Sequence, residues 1–412
     1  MLYSLFEAQH TLLEPWRRVA ELQRGWFDHP FSPLAYSPFA RRIAASNDLF
    51  LRVTQRYEKP AWGIERTVVD GNEVAVEPVA ALEKPFCNLV HFRRDLPSGR
   101  APDPKVLLVA PLSGHHATLL RDTVRSLIQD HEVWVTDWVD ARMVPLADGP
   151  FHLADYVDYV REFMRFVSSP DQSDAHVISV CQPTVPVLCA VSLMWQDAEK
   201  QVPRTMTMMG GPIDARRSPT AVNNLATQKP YSWFERTVIH RVPQKYPGFA
   251  RRVYPGFLQH LGFVAMNPDR HLNAHWDYFR HLVEGDDDSA EKHRDFYDEY
   301  NAVLDLPAEY YLDTIKAVFQ DFALPKGRFF LREQLVRPQA IRDTALLTIE
   351  GELDDISGNG QTEAAHQLCS SIPEANREHY LAPGAGHYGI FAGRRWRDTI
   401  YPKVRDFIRR HG

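Results

Sequence analysis

Short runs of apolar residues alternate with amphipathic helical patterns through much of this chain. Each run has the length and the continuous apolar character of a strand that is buried on both faces. Residues 153–166, between two of these runs, carry the spacing of an amphipathic helix. Strands that alternate with helices form parallel sheets, so the pattern predicts an α/β fold with a mostly parallel sheet and helices on both faces. The predicted strands of this sheet are residues 106–110, 132–136, 175–180, 205–209, 345–349 and 378–381.

The segments outside this alternation divide the chain into predicted parts. Residues 64–69 and 74–76 flank Asp70-Gly71, a pair that suits a two-residue hairpin turn, and residues 88–93 form another predicted strand. The alternation stops between residues 213 and 335, where aromatic residues, prolines and helical patterns predict a mainly helical cap inserted into the core. The predicted boundaries are 1–60 for a helical N-terminal extension, 61–212 for the first part of the core, 213–335 for the cap and 336–412 for the second part of the core.

Several local elements are predicted as well. The tetrapeptide Tyr-Pro-Gly-Phe occurs at residues 246–249 and again at 254–257, and Pro-Gly predicts a tight turn in each copy. Further helices are predicted from their patterns at residues 117–128, 362–369 and 396–408.

Composition and charge narrow the classes of function. Apolar residues make up 44% of the 412 residues, enough for a substantial core, and the net charge of −6 argues against a nucleic-acid binder. No run of 18 apolar residues predicts a transmembrane segment. We expect no metal or other cofactor, because zinc-ligand spacings, phosphate-binding loops and dinucleotide-binding glycine motifs do not occur in the sequence. The four cysteines form no C-x-x-C pair and the first residues do not resemble a secretory signal, so we expect reduced thiols in the cytoplasm.

Cys181 occupies the place of a nucleophile at a sharp strand-to-helix turn. The predicted strand 175–180 ends directly before it, and Pro183 opens a predicted helix. The turn reads Ser-Val-Cys-Gln-Pro, whereas the usual nucleophile turn of α/β-hydrolases reads Gly-x-Ser-x-Gly. The alternative is a cysteine that only packs in the core. That alternative suits the other three cysteines, which are Cys87, Cys189 and Cys369.

An acid and a histidine follow Cys181 in the order that α/β-hydrolases use. Asp354 lies just after a predicted strand, three residues past Gly351, and this spacing favours it over Asp355. His387 lies in a glycine-rich loop that can orient an imidazole. For the acids the alternative is a helix cap or a solvated turn, and for His387 it is a surface position. Because ligand sites of parallel sheets lie at the strand ends, we interpret Cys181, Asp354 and His387 as a catalytic triad.

These residue types suit nucleophilic acyl transfer. An imidazole can take the proton of a thiol to give a strong nucleophile, and a carboxylate holds the imidazole in the right tautomer. The oxyanion needs preorganised N–H donors, of which the first is expected to be the backbone N–H of Gln182. The second is expected from the loop after strand 106–110, at Leu112 or Ser113. His115 lies in the same loop, where it can touch a substrate.

With these motifs the chain resembles the intracellular poly(3-hydroxybutyrate) depolymerases, bacterial enzymes of the α/β-hydrolase superfamily that hydrolyse stored polyester. The resemblance extends over nearly the whole chain and implies a Cys nucleophile with Asp and His, roles that fall on Cys181, Asp354 and His387. It also implies a substrate, amorphous poly(3-hydroxybutyrate) in cytoplasmic granules, and a product, 3-hydroxybutyrate or short oligomers. The motifs that carry the resemblance are residues 110–115, 136–142, 179–183, 351–356 and 386–389.

The aromatic residues of the predicted cap would suit such a substrate, because a mobile aliphatic polyester fits an apolar cleft with few polar contacts. Phe249 and Phe257, in the two Tyr-Pro-Gly-Phe segments, are candidates for polymer contact, and Trp276 and His115 are further candidate substrate-binding residues. The alternative is that the aromatic residues form the core of the cap itself. The expected partner is the polyester granule surface, with no nucleic acid, and a homo-oligomer is left open.

Three other functions remain compatible with the sequence. A polyhydroxyalkanoate synthase uses the same three residue types to join hydroxyacyl units from coenzyme A thioesters. Such synthases usually flank their cysteine with glycines, so Ser179 and Pro183 favour a depolymerase. A non-enzymatic granule-coat protein would need no triad. A general short-chain esterase or thioesterase would act on soluble esters and ignore the polymer.

Overall fold

A large β-sheet organises the molecule. The computed structural model describes residues 2–29, 31–37, 39–266 and 268–412. Across these residues, every helix is too short or too polar to cross a membrane. The strands, in chain order, are β1 (Arg66–Val69), β2 (Asn72–Lys84), β3 (Cys87–Arg94), β4 (Lys105–Val109), β5 (Glu132–Trp138), β6 (Ala175–Val180), β7 (Thr205–Met209), β8 (His240–Arg241), β9 (Arg252–Tyr254), β10 (Leu306–Pro307), β11 (Phe330–Leu331), β12 (Gln334–Leu335), β13 (Ala345–Gly351) and β14 (Arg377–Ala382).

The large sheet has the strand order β1-β2-β3-β5-β4-β6-β7-β13-β14. The pairs from β5 to β14 are parallel, whereas β1, β2 and β3 form an antiparallel edge that joins β5. Strand order reverses at β4, which lies between β5 and β6, and ligands of parallel sheets bind beside such a reversal. Every residue of β6, β7 and β13 is buried, so helices or loops cover both faces there. The predicted α/β-hydrolase fold, with its mostly parallel sheet, is confirmed.

Helices pack on this sheet and precede it. Helix α4 lies beside α5, and α14 lies beside α3, so the sheet is covered by separate groups of helices. The helices are α1 (Leu2–Asp28), α2 (Ala40–Thr54), α3 (Arg121–Leu127), α4 (Leu153–Val167), α5 (Thr184–Gln196), α6 (Ala221–Gln228), α7 (Tyr231–Thr237), α8 (Gly256–Met266), α9 (Pro268–Glu284), α10 (Asp287–Asn301), α11 (Ala308–Thr314), α12 (Ala365–Leu368), α13 (Gly393–Arg395) and α14 (Tyr401–His411).

The segment between β7 and β13 is mainly helical and forms the cap. Its helices α6 to α11 are interrupted by a small antiparallel sheet of order β10-β9-β8. The sequence does not predict this small sheet, because strands of two or three residues carry no readable periodicity. The cap packs on the loop after β4: the N–H of Leu304 donates to the carbonyl oxygen of Gly114 at 2.8 Å. The cap therefore lies over the carboxyl ends of the central strands.

The first two helices pack against each other and against the cap. Arg17 of α1 donates to the carbonyl oxygen of Leu51 at 2.8 Å. The hydroxyl of Tyr3 donates to a carboxylate oxygen of Asp305, directly before β10, at 2.7 Å. This bond and the burial of Tyr3 hold the start of α1 on the cap.

Residues 362–369 differ from the prediction of one continuous helix. Only Ala365–Leu368 is helical. The buried carboxylate of Glu350 accepts hydrogen bonds from the backbone N–H groups of Gly360 at 2.8 Å, Thr362 at 2.6 Å and Glu363 at 3.0 Å. These N–H groups bind an acceptor in another part of the chain, so the segment before α12 forms turns.

The two Tyr-Pro-Gly-Phe copies also differ from the prediction of two equivalent turns. The first copy is a turn, closed by a 3.0 Å bond from the N–H of Phe249 to the carbonyl oxygen of Tyr246. In the second copy Gly256 begins α8, and its N–H donates to Asp305 at 2.9 Å. The tertiary acceptor thus starts a helix where the local sequence predicts a turn.

The ends of two other predicted helices are irregular. Residues Ala117–Leu120 form a 3₁₀ turn before α3, and residues Trp396–Ile400 form a π-helical turn before α14. Periodicity locates such segments but does not distinguish the tighter and wider helical turns.

Candidate active site

Cys181 lies at a tight bend between β6 and α5. Its φ angle is +69°, in the left-handed region that residues other than glycine seldom adopt. Two backbone bonds hold the bend: Cys181 donates to the carbonyl oxygen of Met209 at 2.7 Å and accepts from the N–H of Thr184 at 3.2 Å. The bend lifts a partly exposed thiol away from the carboxyl end of the sheet.

The neighbouring strand makes room for this bend. A side chain at Gly211, just after β7, would place its Cβ 2.4 Å from the carbonyl oxygen of Cys181 and 1.9 Å from the hydroxyl oxygen of Thr184. Gly211 therefore leaves the space that the carbonyl group of Cys181 and the side chain of Thr184 occupy.

Asp354 and His387 form a buried hydrogen-bonded pair. Asp354 follows β13, and its Oδ2 lies 2.7 Å from Nδ1 of His387. Its other oxygen, Oδ1, accepts the backbone N–H groups of Ile356 at 2.9 Å and Ser357 at 2.8 Å. The Asp354 side chain is fully buried, and that of His387 is 5% exposed. The carboxylate is therefore fixed by three donors, one of which is the imidazole.

The His387 ring also lies near Cys181, close enough for the thiol to influence its charge. Because Asp354 occupies Nδ1, the opposite nitrogen, Nε2, is the one left for the thiol. Burial opposes the charged imidazolium, but the charges and hydrogen bonds of Cys181 and Asp354 outweigh it. They raise the pKa of His387 well above its ordinary value. The arrangement can take a proton from the thiol and stabilise the resulting imidazolium.

Three backbone N–H groups in the cavity of Cys181 are candidates for binding an oxyanion. Among the described residues, the N–H groups of Leu112, Ser113 and Gln182 have no protein acceptor. All three residues line the cavity that contains Cys181. The carbonyl oxygen of Leu112 accepts the hydroxyl of Tyr310 at 3.2 Å, which fixes the orientation of this loop. The geometry leaves both Leu112 and Ser113 as candidates for the second donor.

A cavity of about 320 Å³ extends from Cys181 and His387 into the cap. Core loops form its floor, and helices α6, α8 and α11 of the cap form much of its walls. Most of the lining side chains are apolar or aromatic, which favours a substrate with hydrocarbon groups and few charges. Cap residues that contribute to these walls include Leu225, Phe234, Phe263, Tyr311, Ile315 and Phe319.

The C-terminal part of the chain matches a known protein family. Residues 210–412 match the family described as PHB de-polymerase C-terminus, where PHB is poly(3-hydroxybutyrate). The matched segment makes up just under half of the chain. It contains Asp354, His387 and the cap, and the match supports ester hydrolysis as the class of reaction.

Solved structures of several hydrolases are also similar to the chain. A putative lipase from Acinetobacter baumannii AYE is 11% identical, with 82% of this chain and 93% of that chain covered and a TM-score of 0.43. The 2-hydroxy-6-oxo-6-phenylhexa-2,4-dienoate hydrolase from Rhodococcus sp. strain RHA1 is 11% identical, with coverages of 81% and 100% and a TM-score of 0.43. A monoacylglycerol lipase from Paleococcus ferrophilus is 10% identical, with coverages of 76% and 97% and a TM-score of 0.41. No curated protein matches the chain significantly.

The other cysteines differ from Cys181 in their environment. Cys87, Cys189 and Cys369 are buried, and burial raises the pKa of each thiol. A thiol with a raised pKa is a poor nucleophile at neutral pH. In the part of the chain that the structure describes, no cluster of histidine, cysteine and acidic side chains has an arrangement that could hold a metal ion.

The four residues predicted to bind substrate are placed differently from one another. His115 lines the cavity, where its Nε2 lies 3.1 Å from the carbonyl oxygen of Tyr300, and burial lowers the pKa of its ring to about 4. Phe249 and Trp276 are 52% and 62% exposed, and neither lines the cavity. Phe257 is also outside it and stacks on Phe6 with ring centroids 4.1 Å apart. These three residues do not join the cavity, and contact with polymer outside it stays a prediction.

Many of the cavity residues were not predicted from the sequence, among them Tyr310, Gln259 and Tyr388. Tyr310 and Gln259 lie on cap helices α11 and α8, and their approach to Cys181 depends on how the cap folds back onto the core. No local pattern marks such positions. Tyr388 also lines the cavity, and its position directly after His387 is a signal that could have identified it.

Proposed function

We propose that this protein hydrolyses the ester bonds of amorphous poly(3-hydroxybutyrate) through an acyl thioester on Cys181. The observation that carries this proposal is a thiol at a strained bend that shares its cavity with an imidazole bonded to a buried carboxylate. The family match of residues 210–412 and the apolar cavity above the thiol support the substrate.

The proposed acylation starts with transfer of the thiol proton to Nε2 of His387. The sulfur attacks the ester carbonyl carbon, and the oxyanion is bound by the N–H of Gln182 and by that of Leu112 or Ser113. The carbon–oxygen bond of the ester then breaks, and His387 returns its proton to the leaving alkoxide. Asp354 keeps Nδ1 protonated and stabilises the imidazolium.

Deacylation repeats these steps with water as the nucleophile. His387 takes a proton from the water, the hydroxide attacks the thioester carbonyl, and the sulfur leaves as a thiolate that regains its proton from His387. The products are the free acid of the bound unit, either 3-hydroxybutyrate or a short oligomer, and the free thiol. The same residues perform acylation and deacylation, and neither step of this scheme uses a cofactor.

A polymeric substrate also requires contact with a granule, which we place in the cytoplasm. Helix α1 presents an apolar face to solvent, formed by Leu12, Trp16, Val19, Leu22 and Trp26. This face would lie on the polyester surface. The inner side of α1 packs against the cap, where Phe6 stacks on Phe257 of α8. Phe263 of the same helix α8 lines the cavity, so α8 touches both α1 and the cavity of Cys181.

The proposal is tested by acid release from native amorphous granules. Wild-type protein should release 3-hydroxybutyrate or short oligomers, and Cys181→Ala should reduce the rate to background. Cys189→Ala serves as the matched control because Cys189 is buried in α5 and takes no part in the proposed chemistry. This variant should release acid like the wild type. Continued acid release by Cys181→Ala would refute the catalytic part of the proposal. If the wild type hydrolysed p-nitrophenyl butyrate but released no acid from granules, the substrate part would be refuted.

A further inference from the structure

Three polar side-chain atoms in the cavity lack a partner. They are Oε1 of Gln182, Oε1 of Gln259 and the hydroxyl of Ser357, all shielded from solvent and without a hydrogen bond among the described residues. Buried polar groups in proteins are normally bonded, so unpaired ones call for an explanation. In an otherwise apolar cavity, a ligand that carries a polar group at a fixed position provides one.

Gln259 lies beside the loop that offers the second oxyanion donor. A Cβ at Gly114 would be only 2.6 Å from Cδ of Gln259 and 2.7 Å from its Oε1. Gly114 therefore leaves the space that the amide fills, and its φ angle of +105° also requires glycine. Gly114 directly follows Ser113, so the Gln259 amide stands next to the place where the ester carbonyl would bind.

The chemistry of a 3-hydroxyacyl group matches this position. Such a group carries an oxygen two carbons away from its carbonyl carbon, and at the hydroxyl end of a chain this oxygen is a hydroxyl. A hydroxyl both donates and accepts hydrogen bonds, so it can pair with either end of the Gln259 amide. An unsubstituted acyl group of the same length leaves Oε1 of Gln259 unpaired.

We infer that Gln259 binds the 3-hydroxyl of the acyl unit attached to Cys181 and makes the site selective for 3-hydroxyacyl esters. This inference rests on the proposed function and assigns one residue to substrate selection. The interaction joins a cap residue to the substrate, so the cap contributes specificity as well as an apolar wall. Ser357 lies in the loop that follows Asp354. Its backbone N–H donates to the Asp354 carboxylate, whereas its hydroxyl has no such partner.

The test compares two soluble esters, p-nitrophenyl 3-hydroxybutyrate and p-nitrophenyl butyrate. Wild-type protein should have the higher kcat/KM for the hydroxy ester. Gln259→Met keeps the length of the side chain and removes the amide, so the ratio of the two kcat/KM values should fall about tenfold, the size expected for one hydrogen bond. The kcat/KM for butyrate should change little. Gln259→Glu retains acceptor oxygens and should keep more of the preference than Gln259→Met does.

The control is Gln129→Leu, at an exposed position near the end of α3, which should leave the ratio unchanged. Circular dichroism and the thermal midpoint verify that each variant folds. A ratio unchanged in Gln259→Met would overturn the inference. Failure of the polymer proposal looks different: the wild type would prefer the hydroxy ester, and lose that preference in Gln259→Met, without releasing acid from granules.

Discussion

At the scale of single residues, the two carboxylate oxygens of Asp354 have different partners, and the proposed chemistry depends on both. One oxygen binds His387 at 2.7 Å, and the other is held by two backbone N–H groups, at 2.9 and 2.8 Å. The carboxylate therefore cannot rotate away from the imidazole without losing several hydrogen bonds. Its neighbour Asp355 has an exposed side chain, although the two acids differ by one position in the sequence.

Asp354→Asn should lower kcat by several orders of magnitude, on the order of 10⁴-fold where such an acid sets the tautomer of the imidazole. The change also removes one of the charges that raise the pKa of His387, so that pKa should fall. Acylation requires protonated His387 once the thiolate has formed, and the alkaline limb of kcat/KM should therefore move to lower pH. The measurement is a pH profile with p-nitrophenyl butyrate.

Asp355→Asn is the matched control for this profile. It should retain most of the activity and leave the alkaline limb in place. If Asp355→Asn caused the larger loss, the assignment of the acid would be wrong.

At the scale of elements, the bend between β6 and α5 depends on a residue outside it. Cys181 has a positive φ angle, and Gly211 after β7 leaves room for its carbonyl oxygen. The bend and the adjacent strand end are thus one structural unit. Substitution of Gly211 should disturb Cys181 without touching the substrate.

Gly211→Ala should lower both stability and activity. Its Cβ would lie 2.4 Å from a backbone oxygen, and overpacking of this kind costs about 1–3 kcal/mol in the free energy of unfolding. Urea denaturation should show a lower midpoint. Gly25→Ala in α1, where no atom lies within 4 Å of the added Cβ, should be neutral or stabilising by about 0.4–1 kcal/mol. Equal midpoints for the two variants would contradict this role of Gly211.

The elements also show which parts of the site can be predicted from the sequence. Cys181 and Asp354 follow buried strands, and the carboxyl ends of parallel strands meet at one edge, so their proximity follows from chain order. Gly211 and Gln259 act across the fold, and no spacing along the chain predicts their contacts. Glu350 likewise converts part of a predicted helix into turns through bonds to distant N–H groups.

At the scale of the whole molecule, one side of α1 is apolar and exposed. Its charged residues face elsewhere: Glu7 pairs with Arg56, and Arg24 pairs with Asp48 of α2. A face without charges, broad and rich in tryptophan and leucine, suits an uncharged apolar surface. The exposed residues of this face are Leu12 (74%), Trp16 (66%), Val19 (47%), Leu22 (62%) and Trp26 (59%).

Replacing Leu12, Trp16 and Val19 together with serine should weaken adsorption to amorphous granules by at least tenfold, because the three side chains would bury apolar area on the polymer. Hydrolysis of p-nitrophenyl butyrate should be unchanged. Co-sedimentation with granules measures the first effect and a soluble assay the second. Size-exclusion chromatography tells whether the face instead joins two copies of the chain.

The matched control replaces Glu14, Arg18 and Glu21, exposed residues on another side of α1, with serine. This variant should adsorb like the wild type. Equal adsorption of all three proteins would remove α1 from the granule-contact surface.

The most direct test of the account is to capture the acyl group. Wild-type protein mixed with p-nitrophenyl butyrate, quenched in acid within the first turnover and digested, should yield one butyrylated peptide containing Cys181. Hydroxylamine should remove the group, as expected for a thioester, and Cys181→Ala should show no acylated peptide. An acyl group on another residue, or full turnover by Cys181→Ala, would contradict the account.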